Sequence, residues 1–266
     1  MSNPYLPKAY KIIKKVKETK IDYTFKLEFD NNKVKDGQFF QVSLPGIGEC
    51  PIGMSDVGNG WMDLTIRDVG IVTKKICNLK IGDTLYLRGP YGNNWPFDTV
   101  FKNKHLIIAA GGTGVSPARS LINKIYNDVN LVAKMEIFLG FKDPYNILYK
   151  NEIKSWKKKF HTFVTVDNTC DIWTGECVGL ITNHLHKAEL DDVKNTQVVV
   201  VGPPLMMKFT VKKFLEYKIP KQNIWISNER RMSCGIGKCG HCKINDVYIC
   251  VDGPIFKYAD TEFMID

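Results

Sequence analysis

Residues 104–114 read KHLIIAAGGTG, a continuous apolar run that ends in a glycine turn. An unbroken apolar run of this kind is typical of a strand that is buried on both faces of a parallel sheet. A helical pattern follows over residues 117–127, so the glycines lie where a strand ends and a helix begins. Free N–H groups at the start of a helix favour a bound phosphate. The candidate contacts of a phosphate-bearing ligand in this turn are Gly111, Gly112, Thr113 and Gly114.

Strand patterns recur along the chain after this turn, with helical segments between them. These strands are predicted at residues 134–139, 161–166, 196–201 and 223–227. Alternating strands and helices indicate a doubly wound parallel sheet, which we assign to residues 102–226. The strand at 196–201 runs into a second turn, Gly-Pro-Pro, which opens another helix at the same carboxyl edge of the sheet. Two such turns facing one crevice predict a dinucleotide site, and the second turn adds the candidates Gly202, Pro203 and Met206.

The first hundred residues carry a different pattern. Between Ile21 and Phe29 apolar and polar residues alternate, which is the period of a half-buried strand. Further short strands are predicted at residues 37–44, 61–67 and 83–88, separated by Gly, Pro and Asp. Together they predict an antiparallel β-barrel over residues 1–101.

Two segments of this barrel combine small residues with a hydroxyl group or an arginine. Residues 50–55 read CPIGMS, and residues 66–73 read IRDVGIVT. An Arg, a glycine turn and a Thr can hold a second phosphate-bearing cofactor, although spacing alone fits an ordinary barrel loop equally well. The candidate contacts here are Pro51, Ile52, Gly53, Ile66, Arg67, Gly70, Val72 and Thr73.

Four of the eight cysteines lie close together near the C-terminus. Residues 231–242 read RMSCGIGKCGHC, and the fourth cysteine follows eight positions later. The spacing Cys-x4-Cys-x2-Cys with a more distant fourth Cys is that of plant-type [2Fe–2S] loops. Zinc ribbons instead usually pair two short Cys-x2-Cys knuckles, and this segment has one. We therefore expect residues 227–266 to bind a [2Fe–2S] cluster through Cys234, Cys239, Cys242 and Cys250.

The remaining cysteines are scattered over different segments of the chain. We expect each of them to be an inert, buried or incidental thiol; they are Cys50, Cys77, Cys170 and Cys177. His241 lies between two ligand candidates, and we expect it to support the site or face solvent because four thiolates complete the ligand set.

The overall composition narrows the class of function. The chain has 266 residues and a net charge of +9, with its lysines spread along the sequence. A solvated surface explains this charge better than nucleic-acid binding, because no nucleic-acid recognition motif accompanies it. The N-terminus lacks the apolar stretch of a secretory signal, and no apolar run is long enough to span a bilayer. We expect a cytoplasmic protein with reduced cysteines.

Taken in order, these segments resemble the ferredoxin-NADP reductase superfamily over essentially the whole chain. The resemblance rests on GIVT at 70–73, GPYG at 89–92, GGTGVSP at 111–117 and GPPLM at 202–206. Relatives with a C-terminal [2Fe–2S] loop form a narrower group: the electron-transfer subunits of dihydroorotate dehydrogenase and of anaerobic sulfite reductase, and the gamma subunits of sulfhydrogenases. The cysteine segment looks most similar to that of anaerobic sulfite reductase, with the sulfhydrogenase gamma subunit next.

The resemblance implies a set of cofactors and a direction of electron flow. It implies FAD in the barrel, NADH on the parallel sheet and a [2Fe–2S] cluster in the tail, with electrons passing from NADH through FAD and the cluster to a catalytic subunit. For an anaerobic sulfite reductase that subunit would carry sirohaem, and a further iron–sulfur subunit could join the complex. No side chain of this chain is expected to act as a catalytic acid, base or nucleophile, because the cofactors supply the redox chemistry.

Two details qualify this expectation. The superfamily's flavin motif has an Arg, an aromatic residue and a Ser where this chain has Cys50, Ile52 and Gly53. Residues 140–144 lack the Ser and Arg pair that holds the 2′-phosphate of NADPH in relatives, which favours NADH. Asp143 or Asp167 would then face the ribose hydroxyl group.

Two alternatives stay open at this point. Within the redox class, the chain could serve a sulfhydrogenase or a dihydroorotate dehydrogenase as its electron-transfer subunit. In a different class, a zinc-stabilised nucleotide-binding regulator would use the same sheet and tail without redox chemistry. A flavin and iron–sulfur absorbance spectrum separates the two classes, since zinc is colourless.

Overall fold

The computed structural model describes residues 3–30, 34–171, 173–175 and 177–264. The chain forms two compact units. The first comprises Met1–Trp95 and Glu229–Pro254, and the second comprises Pro96–Asn228 and Ile255–Asp266. The expected architecture of an antiparallel barrel and a parallel α/β sheet is confirmed.

The first unit is built on a closed six-stranded barrel. Its strands are β1 (Lys8–Lys17), β2 (Asp22–Glu28), β3 (Phe39–Leu44), β4 (Gly48–Gly58), β5 (Trp61–Arg67) and β6 (Thr84–Tyr91). They follow the order β1-β2-β5-β4-β3-β6, and every neighbouring pair is antiparallel. Alternate residues point inward, so Phe25 and Leu27 of β2 and Leu64 and Ile66 of β5 are fully buried in one core.

A short helix and a small hairpin complete this unit. Helix α1 (Ile71–Cys77) follows β5 and packs Ile76 into the barrel core. The cysteine segment contains the hairpin β13 (Lys243–Ile244) and β14 (Val247–Tyr248), followed by the single turn α5 (Ile249–Asp252).

The second unit is a seven-stranded sheet with a buried centre. In spatial order its strands are β10 (Cys177–Val178), β9 (His161–Val166), β8 (Lys134–Phe141), β7 (His105–Gly111), β11 (Thr196–Val201), β12 (Ile224–Ser227) and β15 (Ile255–Lys257). All neighbours are parallel except β15, which runs antiparallel to β12. The central strands β7 and β11 are almost completely buried, which explains their unbroken apolar sequence.

Three helices connect the strands of this sheet. They are α2 (Val115–Asn127), α3 (Lys150–Trp156) and α4 (Pro204–Glu216). Helices α2 and α4 have 13 residues each. No helix among the described residues is long and apolar enough to cross a membrane.

From the sequence we expected three consecutive domains over residues 1–101, 102–226 and 227–266, but the C-terminal segment is shared between the two units. Residues 229–254 group with the barrel, whereas Ile255–Lys257 return to the sheet as its antiparallel edge strand. The return strand is only three residues long. A pattern of period two cannot be recognised over so short a segment.

Candidate functional site

The predicted nucleotide turns meet at the carboxyl ends of β7 and β11. These strands are parallel neighbours with Ala110 opposite Val201, which places the two turns that follow them side by side. A Cβ atom on Gly114 would lie 2.6 Å from the Val201 carbonyl oxygen and 2.7 Å from the Gly202 Cα. Only glycine allows the two backbones to approach so closely.

The other predicted contacts lie around the place where the two turns approach each other. A Cβ atom on Gly202 would lie 2.7 Å from Met206 Sδ, so Met206 covers the second turn. Gly112 has a left-handed φ of +55°, and a Cβ atom there would meet nothing within 4 Å. Thr113 is half-buried, and Pro203 is exposed directly after Gly202. An open glycine turn at the start of α2 fits the pyrophosphate of a dinucleotide.

The two aspartates that were predicted to face the ribose lie in different surroundings. The Asp143 carboxylate accepts hydrogen bonds from the backbone N–H groups of Tyr145 and Asn146 at 2.9 and 3.1 Å, so it caps its own turn. Asp167 follows β9 directly and is exposed, with its backbone N–H donating to Phe141 O at 2.9 Å. Loss of surrounding water raises the pKa of Asp167. Of the two, Asp167 is the carboxylate free of a capping role.

Several of the predicted flavin contacts are strand residues that face or adjoin the barrel core. The Ile66 side chain is fully buried, and Ile52 and Val72 pack against the barrel core, so these three residues can offer mainly backbone groups. Pro51 and Gly53 alternate with Ile52 along β4, where they pair with Gln41 and Phe39 of β3.

Arg67 and Thr73 are both fixed by neighbouring groups. The guanidinium of Arg67 pairs with Asp22 through Nε at 2.8 Å and Nη2 at 3.2 Å. The hydroxyl oxygen of Thr73 accepts from the N–H groups of Val69 and Gly70 at 3.0 and 2.9 Å. The sequence predicted phosphate contacts for both side chains but not these partners. The ion pair orients the arginine, and the hydroxyl group shapes the glycine turn.

The Gly70 turn is the open part of this region. A Cβ atom on Gly70 would meet nothing within 4 Å. Its neighbours Val69 and Ile71 are apolar yet 74% and 79% exposed. An open turn flanked by exposed apolar side chains fits a cofactor that has both phosphates and an aromatic ring system, such as FAD.

The four predicted cluster ligands come together in the first unit as two pairs. The side chains of Cys234 and Cys239 interact through a hydrogen bond, as do those of Cys242 and Cys250, and Cys250 also lies close enough to Cys234 to be affected by its charge. Cys234 Sγ accepts from the N–H groups of Ile236, Lys238 and Cys239 at 3.3–3.4 Å, and Cys250 Sγ accepts from Gly237 at 3.2 Å. Two thiol pairs within a loop of backbone donors fit a cluster that has two irons with two thiolates each.

The pKa values of two ligands differ with their surroundings. Burial alone would raise the pKa of Cys234, but the N–H groups of Ile236, Cys239 and Lys238 lower it to about 6. Burial, followed by the neighbouring Cys242 thiol, raises the pKa of Cys250 to about 12. The loop therefore stabilises a thiolate at its first cysteine.

A buried arginine, which the sequence analysis missed, holds this loop. Arg88 of β6 is 6% exposed and pairs with Glu49 through two hydrogen bonds of 2.9 and 2.5 Å. Its remaining N–H groups donate to the carbonyl oxygens of Ser233 and Cys234, both at 2.7 Å, and to the Tyr91 hydroxyl. The one available signal was an arginine directly after Leu85 and Leu87, the inward apolar positions of β6, and therefore on the opposite face of the strand.

The other four cysteines lie apart from the cluster loop in sequence. Burial raises the pKa of Cys50 to about 11 and that of Cys77 to about 12. Both side chains pack in or against the barrel core. Cys177 is buried and Cys170 is half-buried in the second unit.

Two protein families match separate parts of the chain. Residues 108–212 match the oxidoreductase NAD-binding domain. Residues 229–262 match the iron–sulfur cluster binding domain of dihydroorotate dehydrogenase B. The first range contains the turns at Gly111–Gly114 and Gly202, and the second contains the four predicted cluster ligands. These matches confirm the expected NADH and iron–sulfur cofactors.

Several curated proteins resemble the chain over nearly its full length. The sulfhydrogenase 2 subunit gamma of Pyrococcus furiosus is 34% identical, and the alignment covers 97% of both chains. The probable dihydroorotate dehydrogenase B electron transfer subunit of Methanocaldococcus jannaschii is 31% identical over 96% of this chain and 90% of that protein. These relatives support the expected alternative, a subunit of a sulfhydrogenase or a dihydroorotate dehydrogenase, more strongly than a subunit of sulfite reductase.

Solved structures show the same fold. An NADH-dependent reduced ferredoxin-NADP oxidoreductase superposes with a TM-score of 0.78 at 23% identity, covering 100% of this chain and 94% of that one. A ferredoxin reductase of carbazole 1,9a-dioxygenase gives 0.71 at 22% identity, covering 83% and 68%. The fold expected from the motifs, a barrel followed by a parallel α/β sheet, is therefore confirmed.

Proposed function

Because this chain belongs to the family of NAD-dependent flavin and iron–sulfur electron-transfer subunits that includes sulfhydrogenase subunit gamma, we propose that it carries electrons from NADH to the catalytic subunit of a sulfhydrogenase-type enzyme. The single observation that carries this proposal is the pairing of the four cysteines in a loop of backbone donors. A [2Fe–2S] cluster held by these cysteines takes up one electron at a time and can pass it to a partner protein. The proposed location is the cytoplasm, where NADH is the common reductant.

The residues of the chain have binding and orienting roles in this proposal. When bound, FAD exchanges electron pairs with NADH and single electrons with the cluster. The Gly111–Gly114 and Gly202 turns would hold the dinucleotide phosphates, and Asp167 would accept a hydrogen bond from the ribose. The Gly70 turn, with Arg67 beside it, would hold the FAD phosphates. The backbone donors of the cysteine loop would stabilise the cluster sulfurs.

The identity of the partner is the finer part of the proposal. The full-length similarity to sulfhydrogenase gamma subunits favours a sulfhydrogenase-type catalytic subunit. A second candidate, the catalytic subunit of dihydroorotate dehydrogenase, is favoured by the match of residues 229–262. A third candidate is the sirohaem subunit of an anaerobic sulfite reductase, because the cysteine segment resembles that family.

Reconstitution with each partner tests the proposal. The holoprotein is reduced with NADH without oxygen, and its reoxidation is followed by visible absorbance, first alone and then with each catalytic subunit together with the oxidised substrate of that subunit. We expect rapid reoxidation with the sulfhydrogenase-type subunit, accompanied by its product. Cys242→Ser, which lacks a cluster ligand, should still accept electrons from NADH but lose the transfer to the partner.

Other outcomes would change the assignment. Reoxidation by the dihydroorotate dehydrogenase or sirohaem subunit alone would move the chain to that enzyme. Sulfide production from sulfite by this chain by itself would contradict its role as a subunit. Equal transfer by wild type and Cys242→Ser would contradict the cluster's place in the path.

A further inference from the structure

A cluster of acidic and histidine side chains lies at the amino ends of the parallel strands. Glu136 of β8 is fully buried, and its Oε2 lies 3.0 Å from His105 Nε2 and accepts from Glu189 N–H at 3.1 Å. His161 opens the neighbouring strand β9 directly opposite Glu136. The cluster therefore joins three strands to the chain segment that leads into β11.

The other carboxylate oxygen of Glu136 has no hydrogen bond. Within the described part of the chain, Glu136 Oε1 is buried without such a partner, and His161 Nδ1 lies 3.8 Å away, beyond hydrogen-bond distance. A buried carboxylate oxygen without a partner is unfavourable, because it has lost its water and gained nothing in return. Because it faces a histidine nitrogen, this oxygen is available as a metal ligand.

A third ligand atom completes the set. Glu189 Oε1 lies 3.0 Å from His161 Nδ1, while Lys134 pairs with the other oxygen of the same carboxylate. The three atoms from Glu136, His161 and Glu189 all lie within 4.8 Å of one another. We propose that these three side chains form a binding site for a divalent transition metal of the zinc class.

The chemistry and spacing fit such an ion. Zinc binds imidazole nitrogen and carboxylate oxygen at about 2.0–2.2 Å, which places tetrahedral ligand atoms about 3.3 Å apart. The distances of 3.0 and 3.8 Å from His161 Nδ1 to the two carboxylate oxygens bracket that value. His161 and Glu189 are 62% and 46% exposed, so the ion can enter from solvent and keep a water ligand. His105 would orient Glu136 from behind.

The site lies at the opposite end of the strands from the nucleotide turns. Strand β7 runs from His105 to Gly111, which is about 20 Å at the usual rise per residue. An ion there is too far from the dinucleotide to take part in hydride transfer. Its role would be structural, because it would fasten the segment at Glu189 to the amino ends of β8 and β9.

Zinc binding to the holoprotein tests this proposal. Protein loaded with FAD and cluster is dialysed against ZnCl₂ and then against metal-free buffer, and zinc and iron are measured by mass spectrometry. We expect one zinc per chain in addition to the cluster iron. His161→Ala and Glu136→Gln should reduce zinc to near zero, and His105→Ala should weaken zinc affinity about 10- to 100-fold.

Two controls keep the result specific. His186→Ala removes a histidine whose Nδ1 contacts the Asn183 carbonyl, and it should retain its zinc. X-ray absorption at the zinc edge should show nitrogen and oxygen ligands, whereas zinc in the cysteine loop would show sulfur. Because His161 is exposed, His161→Ala should fold even if Glu136→Gln does not. The proposal would be overturned if the wild-type protein bound no stoichiometric zinc, if His161→Ala retained its zinc, or if the zinc had sulfur ligands. Glu136, His161 and Glu189 would then be a network of ion pairs only.

Discussion

The Nη1 group of Arg88 donates a 2.7 Å hydrogen bond to the carbonyl oxygen of Cys234. Arg88 belongs to the last strand of the barrel, and Cys234 is the first cysteine of the cluster loop. The same guanidinium donates to Ser233 O at 2.7 Å and pairs with Glu49. One buried cation of the barrel therefore holds the start of the loop, while Asn93 donates to the carbonyl oxygens of Asp252 and Gly253 near its end.

Replacing Arg88 with methionine should loosen the cluster loop. The change keeps much of the side-chain volume but leaves the Ser233 and Cys234 carbonyl oxygens without their donor, which we expect to cost about 1–3 kcal/mol of unfolding free energy. We expect faster loss of the cluster absorbance in chelator and a broadened electron paramagnetic resonance signal. The FAD content should stay at one per chain.

The matched control for this change is Arg119→Met. Arg119 pairs with Glu152 through two hydrogen bonds of 2.6 and 2.7 Å, and the two side chains are 9% and 33% exposed, against 5% and 33% for Arg88 and Glu49. It should lose similar stability while the cluster signal is unchanged. If both variants altered the cluster equally, the role of Arg88 in holding the loop would be wrong.

Gly114→Ala should disturb the nucleotide turns. Its methyl group would lie 2.6 Å from the Val201 carbonyl, so the two turns must separate. We expect the variant to lose about 1–3 kcal/mol of stability. The KM for NADH should rise at least about tenfold, which is roughly the effect of one lost hydrogen bond. Gly46→Ala is the control: Gly46 has a positive φ of +78°, so alanine strains the backbone there, but an added Cβ meets nothing within 4 Å and the KM for NADH should not change. A normal KM in Gly114→Ala would place the dinucleotide elsewhere.

Asp167→Ala should weaken NADH binding and reduce the preference for NADH over NADPH. The lost hydrogen bond to the ribose should raise the KM for NADH about tenfold, while the KM for NADPH falls because a negative charge is gone. Rapid-mixing measurements of flavin reduction with both nucleotides provide the test. The control is Asp191→Ala, which removes another exposed carboxylate and should leave both KM values unchanged. A lower KM for NADPH than for NADH in the wild type would refute the predicted specificity.

The barrel thiols should resist alkylation in the folded protein. The pKa values of about 11 for Cys50 and about 12 for Cys77 leave only about one thiolate in a thousand or fewer at pH 8. Iodoacetamide labelling followed by mass spectrometry should find both unmodified until the protein is denatured or the pH approaches 11. Fast labelling of either residue at pH 8 would show that the thiol is not buried as described.

The sequence predicted the strands whose patterns are regular. The ranges 161–166, 196–201 and 61–67 coincide with β9, β11 and β5 because each shows either alternation or an unbroken apolar run. Strands β1 and β4 were not predicted. β1 reads KAYKIIKKVK, where lysines obscure the period, and β4 contains Pro51 and several glycines, which usually mark turns.

Local motifs in the site were easier to predict than long-range contacts. The glycine turns and the cysteine loop are continuous in sequence, so their spacing and the strands beside them were enough to predict them. The Arg88–Cys234 contact spans 146 positions, and the pairing of Arg67 with Asp22 spans 45. Such contacts depend on strand order in the barrel, which a single sequence does not provide.

An anaerobic titration with NADH tests the electron path most directly. FAD takes two electrons and a [2Fe–2S] cluster takes one, so full reduction of the holoprotein should consume about 1.5 NADH per chain. The electron paramagnetic resonance signal of the reduced cluster should grow to one spin per chain. In Cys242→Ser, consumption should fall to about one NADH per chain and the signal should vanish. If the wild type stops at one NADH per chain with its cluster still oxidised, electrons from NADH do not reach the cluster and the proposed path is wrong.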